Sequence, residues 1–328
     1  MRAERLARLI VIVLAAGVPL VAAVVDEPGP ASGQTVELRG RMAETGGWTP
    51  ADLTAEVGQP LHLRLTSDDV MHGFAVGQTD WPTFDVKPGE VTETTLVFDR
   101  PGKYTFYCTR WCGPNHWRMR GSIQVSGNQN SEPPAVEQAL YVTLGIDIDA
   151  PHRADRVPFE TPSAERGAAL DLALPAAYLD TDYYRSHAPL EVWTALRAER
   201  FARDLSDGQV WDLVALAWRR NTTPEAIALG RRVYAANCAA CHGETGAGDG
   251  VMAESLKAAL HSDEMDRHDT TAPADFTDAA SMLGASPALL GGKITRGGMG
   301  TGMPYFGPIF TDEQLWAVVD FVWTFQFK

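Results

Sequence analysis

The chain has 328 residues, with 42 Asp and Glu against 28 Lys and Arg and a net charge of −14. That balance disfavours a nucleic-acid partner, because phosphate contacts need clustered Lys and Arg. It fits a solvated acidic exterior, or an acidic face that speeds encounter with a basic protein. The length implies two or three domains, and a 45% hydrophobic share gives each of them a core.

Arg2, Arg5 and Arg8 precede Leu9–Val25, an apolar run with Gly and Pro that is closed by Asp26 and Glu27. A spanning helix needs about 20 apolar residues. With Pro19 inside it, the run reads as an uncleaved membrane anchor, or as a secretory signal with small residues near Ala22–Ala23. Either way the basic end stays inside and the rest of the chain crosses the membrane. Residues 26–34, rich in Pro, Gly and Ser, read as a tether.

From Val36 the pattern turns to short strands. Leu61, Leu63 and Leu65 alternate with His62, Arg64 and Thr66, the period of a half-buried strand. Leu96 and Phe98 repeat it, as do Tyr104 and Phe106. Lys87-Pro88-Gly89 and Arg100-Pro101-Gly102 supply turns, so these strands imply a β-sandwich. His62, among leucines, is expected to face solvent and to ligate nothing.

Cys108–Met119 reads CTRWCGPNHWRM. Thiolate, thioether and imidazole all suit copper, and a loop of this length can turn Cys108, Cys112, His116 and Met119 toward one point. Two thiolates on one loop can bridge two copper ions. A disulfide between Cys108 and Cys112 is the alternative, and it leaves the His and Met spacing unexplained. The loop resembles the CuA loop of the cytochrome c oxidase subunit II family, a cupredoxin domain, over roughly Val36–Val125. That resemblance implies a dinuclear copper centre held by Cys108, Cys112, His116, Met119, the carbonyl of Arg110 and, from the strand-end motif DVMHGFAV, His72. Many members carry Glu where Arg110 stands, and its side chain helps bind magnesium. Arginine has no acceptor atoms for that ion. Met71 and Trp111 are expected to shield the copper from water, with electron entry through Trp111 or Trp81 as the alternative.

Residues 126–165 form a polar connection interrupted by the apolar stretch Leu140–Ile148, and His152 is expected at the surface. Cys238-Ala-Ala-Cys241-His242 then supplies the C-x-x-C-H pattern that attaches a c-type haem. With two cysteines here and two in the copper loop, none remains for a structural disulfide. The context GRRVYAANCAACHGETGAGDG resembles class I cytochrome c, with Gly230 and Tyr234 at that family's first-helix packing positions. The resemblance implies one covalently bound haem c, His242 as proximal ligand and a methionine opposite. GGMGTGMPYFG offers Met299 and Met303, and the Met-Pro-aromatic pattern selects Met303. His261 and His268 read as surface residues. The last helix, Thr311–Phe327, has Thr311 as N-cap, Asp312 and Glu313 in its first turn, and an apolar face of Leu315, Val318, Val319 and Val322.

An internal echo aligns Pro175–Trp218 with Pro273–Trp323. SDGQVW at 206–211 matches TDEQLW at 311–316. No C-x-x-C-H precedes the first copy, so it is expected to be a haemless cytochrome-like segment that packs or spaces. Two amphipathic helices of separate origin are the alternative.

The expected fold is therefore multidomain: an all-β cupredoxin sandwich followed by an all-α cytochrome c domain, with one N-terminal hydrophobic helix. Its divisions are 1–25 anchor or signal peptide, 26–128 CuA cupredoxin domain, 129–174 linker, 175–225 haemless helical segment and 226–328 cytochrome c domain. Both ligand sets are complete, so no catalytic residue and no turnover by the chain alone are expected. The resemblances imply an electron-transfer subunit anchored in the membrane with its domains on the outer, periplasmic face, or secreted there after signal cleavage. It would take electrons from a donor protein or complex and pass them to catalytic subunit I of a haem–copper oxidase. A nitric oxide reductase, or no fixed enzyme partner at all, are the alternatives.

Overall fold

The computed structural model describes residues 33–113, 116–127, 138–256, 272–298 and 302–328. Leu9–Val25, His261, His268 and Met299 lie outside the described residues. Among those described, no helix is long and apolar enough to cross a membrane.

Residues 34–126 build two sheets around one core. The first orders β2 (Trp48–Thr49), β1 (Gln34–Gly40), β4 (Pro60–Ser67) and β7 (Thr92–Val97). The second orders β3 (Asp52–Glu56), β9 (Arg120–Ser126), β8 (Gly102–Tyr107), β5 (His72–Val76) and β6 (Phe84–Val86). The alternation read in β4 is realised: Leu61, Leu63 and Leu65 are buried and their neighbours are not. They meet Phe74, Phe106, Ile123 and Val125 from the other sheet, which is how alternating strands bury one face each. The Lys87-Pro88-Gly89 turn closes with Glu90 N–H on the Lys87 carbonyl, and Gly89 supplies the left-handed φ of 76°. β5 differs from the other strands in that all five of its residues are buried. His62 is half-buried. The register sets it opposite Thr95, whose hydroxyl is 2.8 Å from His62 Nδ1.

The helical part shows the sequence echo as geometry. Its first copy comprises α1 (Ala164–Ala169), α2 (Pro189–Ala198) and α3 (Asp207–Asn221). The second comprises α4 (Pro224–Asn237), α5 (Pro287–Arg296) and α6 (Asp312–Val322). Both α2 and α5 begin with proline at the first turn, where its missing N–H costs nothing. Both α3 and α6 open with a reciprocal capping box, Ser206 with Gln209 and Thr311 with Gln314. Each copy also has a helix crossing so close that only glycine fits. A Cβ on Gly230 of α4 would sit 1.9 Å from the Ala317 carbonyl oxygen of α6. One on Gly167 of α1 would sit 2.3 Å from that of Asp212 in α3, and Asp212 follows Trp211 as Ala317 follows Trp316. The echo thus begins earlier than Pro175. Phe327 packs between Trp218 and Trp323, with ring centroids 5.7 and 5.8 Å away, and all three belong to one core.

From residue 138 onward the expected linker is packed against this core. Ile148, Ala154 and Ala164 are buried in it, and Tyr141 closes on Gly292, where a Cβ would lie 2.7 Å from the ring. His152 is half-buried, with Nδ1 3.3 Å from the Ala150 carbonyl.

Candidate metal and haem sites

β5, β8 and β9 are neighbours in one sheet, and the expected copper ligands sit at the start of β5 and in the loop that joins β8 to β9. His72 opens β5, Cys108 follows β8, and Met119 precedes β9. The loop between them is closed at its base by Cys108 N–H on the Met119 carbonyl at 3.0 Å, continuing the β8–β9 ladder. Inside it, a short turn at His116–Arg118 swings His116 back toward the cysteines.

The side chains converge. Cys108 Sγ is 4.0 Å from Cys112 Sγ, 3.9 Å from His72 Nδ1 and 3.2 Å from the Arg110 carbonyl oxygen. Cys112 Sγ is 3.5 Å from His116 Nδ1 and 3.3 Å from Met119 Sδ. Both thiols are free, and the ligating atoms of His72, Cys108 and Cys112 lie within 4.8 Å of one another. All six expected donors therefore face one small volume, and this soft donor set fits copper.

The surroundings favour charge on the Cys108 sulfur and oppose it on Cys112. The Cys112 sulfur stands 4.0 Å from that of Cys108, and Gly73 N–H donates to Cys108 Sγ at 3.3 Å. The Cys112 bond, outweighing burial, holds the Cys108 thiol down to about 3. The same bond pushes Cys112 up. Gly73 is required for this approach: a Cβ there would lie 2.0 Å from Thr109 Oγ1 and 3.1 Å from the Arg110 amide. Burial alone would lower the His72 pKa, but its contacts with Cys108 and Asp69 overcome that and raise it.

Two residues of this site escaped the sequence reading. Asp69 Oδ1 is 2.8 Å from His72 Nε2, and the carboxylate is fixed by the Met42 and Val70 amides. It orients the imidazole so that Nδ1 faces the sulfurs, a usual second partner of a ligating histidine. Its signal was an acid three residues before the histidine. Asp85 grips the Arg110 guanidinium at 2.8 and 3.0 Å. Met71 and Trp111 are 44% and 46% exposed, and the Trp111 ring lies 5.6 Å from His116. Trp81 packs instead on Phe98, at 5.0 Å.

The haem motif is set by α4, which ends at Cys238. The following turn, Ala239–His242, carries His242 N–H to the Cys238 carbonyl at 2.9 Å and gathers Cys238, Cys241 and His242 at one place. Tyr234, one of the packing positions read from sequence, packs tilted against Phe321 of α6 at 5.2 Å and donates to the Gly243 carbonyl. His242 Nδ1 lies 3.0 Å from the Ala274 carbonyl oxygen; with the proton on Nδ1, Nε2 is left as the ligating atom. Here the environment is opposite to that of Cys108. Burial pushes the Cys238 thiol up to about 12 and lowers the His242 pKa. The C-x-x-C-H turn and a neutral imidazole with Nε2 left free to ligate fit a covalent haem. Met303 lies on a separate segment, its carbonyl receiving Gly298 N–H.

Residues 50–126 match the family described as cytochrome c oxidase subunit II, periplasmic domain, and residues 227–326 match the family described as cytochrome c. The chain therefore joins a cupredoxin-like domain of the subunit II periplasmic kind to a separate cytochrome-c-like domain. Two curated relatives, both cytochrome c oxidase subunit 2 of Thermus thermophilus, are 38% identical over 79 residues. That is 24% of this chain and 58% and 46% of the relatives, so the chain spans about half the length of the curated relatives it matches. Among solved structures, the periplasmic domain of subunit II of the cytochrome oxidase of Bradyrhizobium japonicum is 20% identical. It covers 30% of this chain and 88% of that one, with a TM-score of 0.26. Auracyanin B is also 20% identical, over 28% of this chain and 88% of that one, with a TM-score of 0.24.

Proposed function

We propose that the chain is the electron-input subunit of a haem–copper oxygen reductase. It would pass electrons from a c-type haem to a dinuclear copper centre and on to the catalytic subunit. The observation that carries this reading is the convergence of two free thiols, two imidazoles, a thioether and one carbonyl on a single volume. His72, Cys108, the Arg110 carbonyl, Cys112, His116 and Met119 would hold the copper, which would supply one-electron chemistry.

The protein's part is to hold the donors still. His72, Cys108 and Met119 hang from three hydrogen-bonded strands, Asp69 fixes one imidazole, and Gly73 lets the loop lie against β5. Cys238, Cys241, His242 and Met303 would hold the haem. With both donor sets taken up in this way, the chain would relay electrons and would turn nothing over alone.

Metal analysis together with electron paramagnetic resonance of the purified holoprotein tests this. The expected result is iron bound with a copper pair whose hyperfine structure shows one electron shared by two equivalent nuclei. Zinc, a lone copper or no iron would sink the reading. Co-purification with a membrane complex that consumes oxygen separates the oxidase from a nitric oxide reductase or a free carrier.

A further inference from the structure

We propose that Arg120 is a positioning residue that latches the cytochrome-c-like domain onto the cupredoxin-like domain, with the two ligand-bearing segments in contact; the inference rests on the relay reading above. Arg120 directly follows Met119, and Tyr305 stands two residues after Met303. Arg120 Nη1 donates to the Tyr305 carbonyl oxygen at 2.8 Å. Its guanidinium carbon lies 4.8 Å from the Tyr305 ring centroid and 5.9 Å from that of Phe306. The segment carrying the candidate haem methionine and the strand carrying a candidate copper ligand therefore meet through one side chain.

That side chain is unusual in its setting. Its electrostatic partners are Tyr305 and Tyr107, with no carboxylate among them. A half-buried guanidinium is costly unless carbonyls and ring faces replace water, and here both come from the other domain. A second grip lies beside it. Gln78 N–H donates to the Ile309 carbonyl and Gln78 Nε2 to the Gly307 carbonyl, both at 2.8 Å. Gly77 can lie flat on this segment because it has no Cβ, which would stand 2.5 Å from the Pro308 carbonyl oxygen. Residues 305–309 are thus held at three carbonyls by the end of β5 and the start of β9. Ordinary packing would not need a charged group at this place. A latch does, because a charge-assisted bond is directional and still reversible.

The test uses the full holoprotein. Electrons are injected photochemically into the haem, and arrival at copper is followed optically; amide hydrogen exchange at Gln78 is measured alongside. For Arg120→Ala, electron arrival slows about tenfold or more and Gln78 exchange rises by a similar factor, as loss of a charged hydrogen bond implies. The haem and copper spectra stay unchanged. Arg120→Lys, which keeps a donor, recovers part of both. Gln78→Gly suits the φ of 60° at that position and removes the second side-chain bond, so it should loosen the same contact independently. Equal rates and unchanged exchange in Arg120→Ala and wild type would overturn the latch. If copper never follows haem in the wild type, the relay reading fails, and exchange at Gln78 alone then decides whether the latch exists.

Discussion

Asp320 offers the sharpest test of the packing described above. It lies on α6, is 9% exposed, and accepts a 2.8 Å bond from the Tyr184 hydroxyl. Burial raises its carboxyl from an ordinary 3.8 to about 6, against smaller opposing contributions from Tyr184 and Arg185. A carboxyl whose pKa is raised on folding binds its proton more tightly in the folded chain. Its stabilising contribution is full below about pH 4 and is lost as pH rises through about 6. The gap corresponds to about 3 kcal/mol, at about 1.36 kcal/mol for each tenfold change. Asp320→Asn keeps an acceptor for Tyr184 and removes the ionisation. Relative to wild type, the variant should therefore gain about 3 kcal/mol between pH 3.5 and pH 7.5. For a domain of this size that is about 2–4 °C in midpoint per kcal/mol. Urea denaturation of holoprotein and variant in parallel, followed by the helix signal in circular dichroism, isolates Asp320, because every other titrating group is common to both. A stability difference that stays flat across this range would refute the reasoning.

Cys112→Ser leaves Cys108 as the only thiolate, so bound copper should fall from a pair to a single ion while iron is retained, as metal analysis would show. Asp69→Ala removes the partner of His72 Nε2 and should weaken copper binding about 10–100-fold, measured by competition with a chelator. Gly230→Ala places a methyl group 1.9 Å from the Ala317 carbonyl oxygen. It should force α4 and α6 apart and cost about 1–3 kcal/mol or more, read by denaturation.

The copper loop and the haem motif were legible because their chemistry is local. Within Cys108–Met119 and Cys238–His242 the ligand types stand close enough in sequence for one loop or one turn to gather them. The strands were legible for a similar reason, since period-two alternation in β4 states which side is buried. What stayed hidden depends on the third dimension. The His62 ring faces Thr95 because β4 pairs with β7 in that register, and nothing in the leucine alternation announces a hydroxyl opposite. Arg120 and Tyr305 are separated by 185 positions, and Arg120 taken alone reads as an ordinary strand charge. Gly167 stands in AERGAAL and its counterpart Gly230 in IALGRRV, so the common crossing emerges only when each is seen against the carbonyl it touches.

That shared crossing bears on what a copy without a C-x-x-C-H motif contributes. The first copy supplies Trp218 to the pocket around Phe327, and just after its α1 crossing the segment 181–186 brings in Tyr184, whose hydroxyl reaches Asp320 on α6 of the second copy. A buried carboxyl is tolerated only when a donor meets it, and this donor comes from the other half of the echo. Removal of that donor should therefore be felt across the junction. Tyr184→Phe takes away the hydroxyl and leaves the ring, so Asp320 keeps its burial and loses its bond. The carboxyl should then titrate still higher, and at pH 7.5 the variant should be less stable by about 1–3 kcal/mol. The double variant with Asp320→Asn should show a different cost, since the charge is gone. If the two substitutions simply add, Tyr184 and Asp320 are not energetically coupled across the junction.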